Sequence, residues 1–191
     1  MQRFGGLKAV LFPNSSKEEW KKQNASKEDL KLHPHIMELH ELLQQQLTQK
    51  EYKQAINSIR NSILTAFYTP KIIPQSLFAV LKEKGIEPTA MYEPSSGAGV
   101  FVTEAAAAFP SLQTISAVEK DFSTGKVLTA LSSSFPVTTT VQIKGFEKTP
   151  ATENGQFDLV VSNIPFGNFK VYDESIQEKE LKEKIHNYFF A

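Results

Sequence analysis

The sequence predicts an α/β fold: a doubly wound parallel sheet with helices on both faces, preceded by a helical extension. Three observations predict it. From residue 71 onward, short apolar or β-branched runs alternate with helical stretches, which is the pattern of βαβ units. A glycine-bearing turn, Glu93-Pro94-Ser95-Ser96-Gly97-Ala98-Gly99, separates the first such run from the helix after it. Before residue 67 the apolar residues recur at helical spacing instead. The expected division is therefore a helical extension over 1–66 and the sheet domain over 67–191.

Residues 1–26 are mixed, with a short apolar stretch from Leu7 to Phe12 and a polar turn over Pro13-Asn14-Ser15-Ser16. Residues 27–66 read as two helices. Ser26 with Asp29 marks the first start, and Ile36, Leu39, Leu42, Leu43 and Leu47 form its apolar side. The second runs from Lys50 to Ala66, with Tyr52, Ile56, Ile59, Ile63 and Leu64 on one side. Both suit a packing layer, with a partner-binding pair as the alternative.

In the sheet domain, Pro74 to Lys84 reads as a helix ended by Gly85. Strands are expected at Thr89–Glu93, Thr114–Glu119, Thr138–Ile143 and Phe157–Ser162, and helices at Val100–Phe109 and Ser123–Phe135. Residues 174–190 read as a charged final helix ending in Tyr188-Phe189-Phe190.

Composition narrows the function classes. The chain has 191 residues, 40% hydrophobic and 22% charged, which fits a globular domain with a core. No apolar run reaches the roughly 20 residues of a membrane span, and Met1-Gln2-Arg3-Phe4-Gly5-Gly6 has no signal-peptide core. No membrane partner is expected. The absence of cysteine excludes disulfides, Cys-ligated zinc and Cys nucleophiles and fits a cytoplasmic protein. His33, His35, His40 and His186 are scattered, so no metal site is expected. The net charge of zero lacks the basic surplus of a free-standing DNA binder. Any grip on nucleic acid would come from a local basic patch or from further chain.

The turn after the first strand is the expected cofactor cradle, because ligands of such sheets bind where strand C-termini meet helix N-termini. Gly97 and Gly99 let the backbone approach a ligand. The turn is not a phosphate loop, since no Gly-Lys-Ser/Thr follows, and it lacks the third glycine of the dinucleotide fingerprint. Its leading acid, Glu93, would repel pyrophosphate and suits a cationic ligand. Glu119 ends the second strand, where an acid commonly takes ribose hydroxyls; Asp121 is better placed to start the next helix. The bland alternatives are a structural turn and a strand-end acid.

Asn163-Ile164-Pro165-Phe166 directly follows the fourth strand. With Phe157 to Gly167 around it, it resembles the (Asn/Asp/Ser)-Pro-Pro-(Tyr/Phe/Trp) motif of S-adenosylmethionine (SAM)-dependent amino-methyltransferases, with Ile164 in place of the first proline. The resemblance implies a Rossmann-like methyltransferase fold, partial here with four strands, and SAM as cofactor. It also implies that the Asn163 side chain and the Ile164 backbone carbonyl accept the two N–H groups of an exocyclic amine. Pro165 stiffens the turn and Phe166 stacks on a flipped base. Cofactor contacts are implied for Glu93, Pro94, Ser95, Gly97, Gly99 and Glu119. Phe67-Tyr68-Thr69-Pro70 resembles the amino-terminal SAM-contacting motif of gamma-class adenine-N6 DNA methyltransferases, with Tyr68, Thr69 and Pro70 beside the methionine part; a plain helix stop is the alternative. Phe146 and Glu147, in Lys144-Gly145-Phe146-Glu147, take the places that would face the SAM adenine, with glycine where the family often has Asp. Phe169 and Tyr172 are candidates to line the target pocket or the SAM adenine, with an ordinary surface loop as the alternative.

The region around Leu7 to Leu11 and the run from Ile36 to Pro70 resemble the amino-terminal part of methylase–helicase fusion proteins of bacterial mobile elements, a setting of DNA restriction–modification. DNA with a flipped adenine is the implied substrate. The family's sheet has seven strands, so the expectation is a piece of a longer polypeptide, completed by its C-terminal part or by a partner subunit. A SAM-binding module without turnover, and a protein-glutamine or RNA amino-methyltransferase, remain open alternatives.

Overall fold

The computed structural model describes residues 16–22, 26–65 and 68–165, together with 171, 185 and 189. The chain divides into two compact units, Met1–Ala66 and Phe67–Ala191.

The first unit is helical: α1 (Lys17–Lys22), α2 (Lys27–Gln46) and α3 (Gln49–Thr65). The stretch expected to be a polar turn leads into α1, because Ser16 and Glu19 form a reciprocal capping box. The Ser16 N–H donates to Glu19 at 2.6 Å and the Glu19 N–H donates to Ser16 Oγ at 3.2 Å. Thr48 and Glu51 repeat this at the start of α3. Trp20, Ile36 and Ile59 form the small core. Leu42, assigned to the apolar side of α2 by its spacing, is 54% exposed. The inward side of α2 instead carries Ile36 and His40, whose Nδ1 bonds the Tyr52 hydroxyl at 2.8 Å.

The second unit is the α/β domain. Its elements are α4 (Ile72–Glu83), β1 (Ala90–Glu93), α5 (Val100–Ala108), β2 (Thr114–Glu119), α6 (Phe122–Ser132), β3 (Thr138–Ile143), two short 3-10 turns (Phe146–Lys148 and Ala151–Glu153) and β4 (Leu159–Val160). All strand pairs are parallel, in the order β3-β2-β1-β4. This is a Rossmann-like α/β arrangement, in which β1 and β4 flank the point where strand order reverses. Met91, Ile115 and Ala117 from the strands pack with Phe78 of α4, Phe101, Val102 and Ala105 of α5, and Leu128 of α6.

Local chemistry accounts for the boundaries. α4 begins two residues before its expected start and tolerates Pro74, because first-turn N–H groups have no intrahelical acceptor. It ends at Gly85 (φ 74°), where the Ile86 N–H donates to Leu81 O at 3.0 Å. Asp121 caps α6, accepting from the Thr124 N–H at 2.9 Å. β4 is shorter than the expected Phe157–Ser162. At its start the Asp158 carboxylate, rather than a backbone carbonyl, accepts the Ala90 N–H at 2.9 Å. At its end β1 runs into Pro94, which has no N–H to offer. The expected final helix over 174–190 lies outside the described residues except at 185 and 189.

Candidate functional site at the C-terminal ends of β1, β2 and β4

β1 delivers Glu93 to the end of the sheet, 1% exposed. Its Oε2 is buried and has no hydrogen-bond partner among the described residues. Burial, and then the nearby charge of Glu119, push the Glu93 carboxyl well above the usual carboxylate range. A buried carboxyl left unpaired costs stability, so its retention at a strand end marks a place where a donor or cation would be received.

The following turn is pinned to β2. The Ser96 N–H and Oγ both donate to Val118 O at 2.9 Å. The Gly97 N–H donates to Glu119 Oε2 at 2.7 Å, and the Asp121 N–H donates to Glu119 Oε1 at 2.6 Å. Burial raises the Glu119 carboxyl above its ordinary value, against the lowering effect of these backbone N–H groups. Glu119 therefore has a loop-holding role that its position in the sequence does not reveal. Each oxygen keeps a further lone pair for a ligand hydroxyl. Pro94 is buried and Ser95 half-buried within the same turn.

Gly97 (φ 54°) and Gly99 (φ 82°) are both left-handed, where a side chain costs about 1–2 kcal/mol. A Cβ on Gly97 would meet open space, whereas one on Gly99 would overlap the buried Leu128 side chain. Gly97 leaves open space beside the turn, and Gly99 lets α5 start close against α6.

β4 leads into Ser162 and Asn163. Ser162 Oγ is buried and unpartnered among the described residues. Tyr92 pairs with Val160, so Glu93 and Ser162 lie on neighbouring strand ends, each with a buried polar atom lacking a partner. Asn163 Nδ2 donates to Thr69 Oγ1 at 2.9 Å, bringing the Tyr68-Thr69-Pro70 segment to the end of β4. Tyr68 is 47% exposed, Thr69 is half-buried and Pro70 exposed. Ile164 and Pro165 are half-buried beyond Asn163. Phe166, Phe169 and Tyr172 lie outside the described residues.

On the β3 side, Phe146 lies 6.1 Å from Tyr92 between ring centroids and stacks on Phe189 at 4.6 Å. Glu147 pairs with Lys120 at 3.7 Å. Its carboxylate folds back over Gly145, occupying the space a Cβ there would need. A Cβ at 145 would displace only the far end of the flexible Glu147 side chain.

The sequence-predicted residues Glu93, Pro94, Ser95, Gly97, Gly99, Glu119, Thr69 and Asn163 thus converge on the C-terminal edge of one sheet. The sequence does not single out Ser96 and Ser162: a serine beside a glycine turn or at a strand end carries no distinguishing pattern. Among the described residues no metal-binding cluster is present, and no helix is long and apolar enough to cross a membrane.

No family model matches the chain. The chain is 33% identical over 105 residues to "Defense against restriction protein B" of Escherichia phage P1, spanning 54% of this chain and 4% of the phage protein. Among solved structures it is similar to a Pyrococcus horikoshii protein assigned as an RNA methyltransferase (21% identity, TM-score 0.46, 75% of this chain and 67% of that one). It is also similar to a modification subunit assigned to a type I restriction enzyme of Vibrio vulnificus (16% identity, TM-score 0.49, 86% and 35%). The chain therefore spans a small part of the phage relative and about a third of the Vibrio subunit.

Proposed function

We propose that this chain forms the cofactor- and target-binding half of a SAM-dependent amino-methyltransferase whose substrate is the exocyclic N6 amine of adenine in DNA. The carrying observation is the placement of Asn163, with one amide hydrogen engaged by Thr69, at the end of the strand that neighbours the buried, unpartnered carboxyl of Glu93.

The residues present fit SAM. A buried orphan carboxyl beside a second raised carboxyl favours a ligand with positive charge and donor hydrogens, and it disfavours a phosphate. The Gly97 turn leaves room for close approach. Held by Glu93, the Gly97 turn and Glu119, SAM would supply its sulfonium methyl as the group passed to the amine nitrogen, with a neutral thioether as the by-product and the amine proton going to solvent.

The chain's own residues hold and prepare the amine. An aryl amine is a weak nucleophile because its lone pair is delocalised into the ring. Acceptors at Asn163 Oδ1 and the Ile164 carbonyl, one for each N–H, favour the pyramidal form in which that lone pair is available. Glu93 fixes the cationic cofactor, Glu119 holds the loop and has capacity left for a ribose hydroxyl, and Phe166 offers a stacking face. Catalysis on this scheme is positioning plus electrostatics, and no strong general base is needed. The phage relative's name concerns defense against restriction, which supports DNA as the substrate class.

The test is methyl transfer from radiolabelled SAM to adenine-containing DNA, with digestion to nucleosides. Label in N6-methyladenine, abolished in Asn163→Ala, is the expected result. Label entering RNA guanine or protein glutamine in place of adenine would overturn the substrate assignment.

A further inference from the structure

We infer that Thr69 is a positioning residue for Asn163: its hydroxyl receives one amide hydrogen and leaves Oδ1 as the free acceptor. The inference rests on the proposed function for its catalytic meaning, while its geometry stands apart from it. Thr69 and Asn163 are 94 residues apart in sequence, and the 2.9 Å bond joins their side chains. Among the described residues Asn163 makes no other side-chain hydrogen bond.

A carboxamide has two faces of similar shape and opposite hydrogen-bonding sense. An asparagine that must accept from an amine has to present oxygen, so its nitrogen needs an acceptor behind it. A hydroxyl supplies that acceptor without adding charge. A carboxylate at 69 would bring a third acid toward Glu93 and Glu119, and an apolar residue would leave the amide free to turn.

Thr69 is also firmly mounted. Pro70 restricts it to extended backbone. The Pro70 carbonyl accepts from the Ile73 N–H at 3.0 Å, which ties the segment to the start of α4. α4 is anchored by Phe78, fully buried, and by Gln75 donating to Glu104 of α5 at 3.0 Å. The hydroxyl that orients Asn163 is thus carried on the packed body of the domain. The segment that resembles a cofactor-contacting motif has in this chain a direct contact with the target-side asparagine.

The test is the side-chain NH2 signal of Asn163 in ¹⁵N-labelled full chain, identified by its loss in Asn163→Ala. In the unaltered protein one Nδ2 proton is expected to be shifted downfield and to exchange about tenfold more slowly than a free amide, the scale of one hydrogen bond. Thr69→Val, similar in shape without the hydroxyl, brings exchange to the free-amide rate, and Thr69→Ser restores protection. Free-amide exchange in the unaltered protein, or unchanged protection in Thr69→Val, overturns the inference. The unaltered-protein arm decides the matter even where Thr69→Val does not fold. A protected amide together with no SAM binding by the folded chain would refute the proposed function and leave the positioning role standing. If transfer occurs, Thr69→Val lowers kcat about tenfold, the same scale of one hydrogen bond, and Thr69→Ser recovers it.

Discussion

The Glu119 carboxylate accepts the Gly97 N–H at 2.7 Å, so the acid that ends β2 holds in place the turn that follows β1. Its other oxygen accepts the Asp121 N–H, so one side chain ties together the turn before α5 and the residue that caps α6. Glu119→Ala leaves two backbone N–H groups without acceptors and is expected to cost about 1–3 kcal/mol by denaturant titration. Glu119→Gln keeps one carbonyl acceptor and should lose less. Equal stability of Glu119→Ala and the unaltered protein would remove the loop-holding role.

The two glycines of the turn should separate in their response. Gly97→Ala adds only left-handed strain, about 1–2 kcal/mol, because open space surrounds the new methyl. Gly99→Ala adds the same strain plus overlap with the fully buried Leu128, with overpacking worth about 1–3 kcal/mol more. Thermal unfolding of both variants checks the order.

Ser162 gives a prediction with opposite signs in the free and bound protein. Its buried Oγ has no partner among the described residues, so Ser162→Ala is expected to leave unliganded stability unchanged or slightly raised. If the hydroxyl serves the ligand site, the same variant weakens SAM binding by about tenfold, the scale of one hydrogen bond. A stability loss with unaltered binding would make Ser162 purely structural.

Proton linkage follows from the raised carboxyls. Burial first, and mutual charge second, hold Glu93 above 4.5, and burial raises Glu119. Between the ordinary and raised values the folded chain binds more protons than the unfolded one, so its unliganded stability falls as pH rises through that window. A cationic ligand needs the ionised form and should therefore release protons on binding, with affinity increasing with pH over the same window. Asp158 has the opposite sign. Desolvation alone would raise it, but the Thr89 and Ala90 donors outweigh that and hold it below 3.8; its contribution is present at neutral pH and lost as acid protonates it. Binding heats measured in two buffers of different ionisation enthalpy test the release, and buffer-independent heats would refute it.

Much of the sheet was legible because parallel strands buried on both faces read as short β-branched runs between helices. Asn163 and Glu93 were legible because they end such runs. What escaped were features set by contacts across the fold. α1 was passed over although Ser16 and Glu19 carry a capping box. Leu42 is exposed despite its helical spacing because the inward side of α2 follows Ile36 and His40. β4 is short because the Asp158 carboxylate takes the Ala90 N–H at the start of β1. The Thr69–Asn163 bond spans residues that no local pattern connects.

The central claim is a cationic-cofactor site built on Glu93, and calorimetric titration of the chain with SAM tests it most directly. Saturable binding is expected, weakened about tenfold to a hundredfold in Glu93→Gln, which keeps the shape and removes the charge. A folded chain that gives no binding heat, or a Glu93→Gln variant that binds equally well, would contradict it.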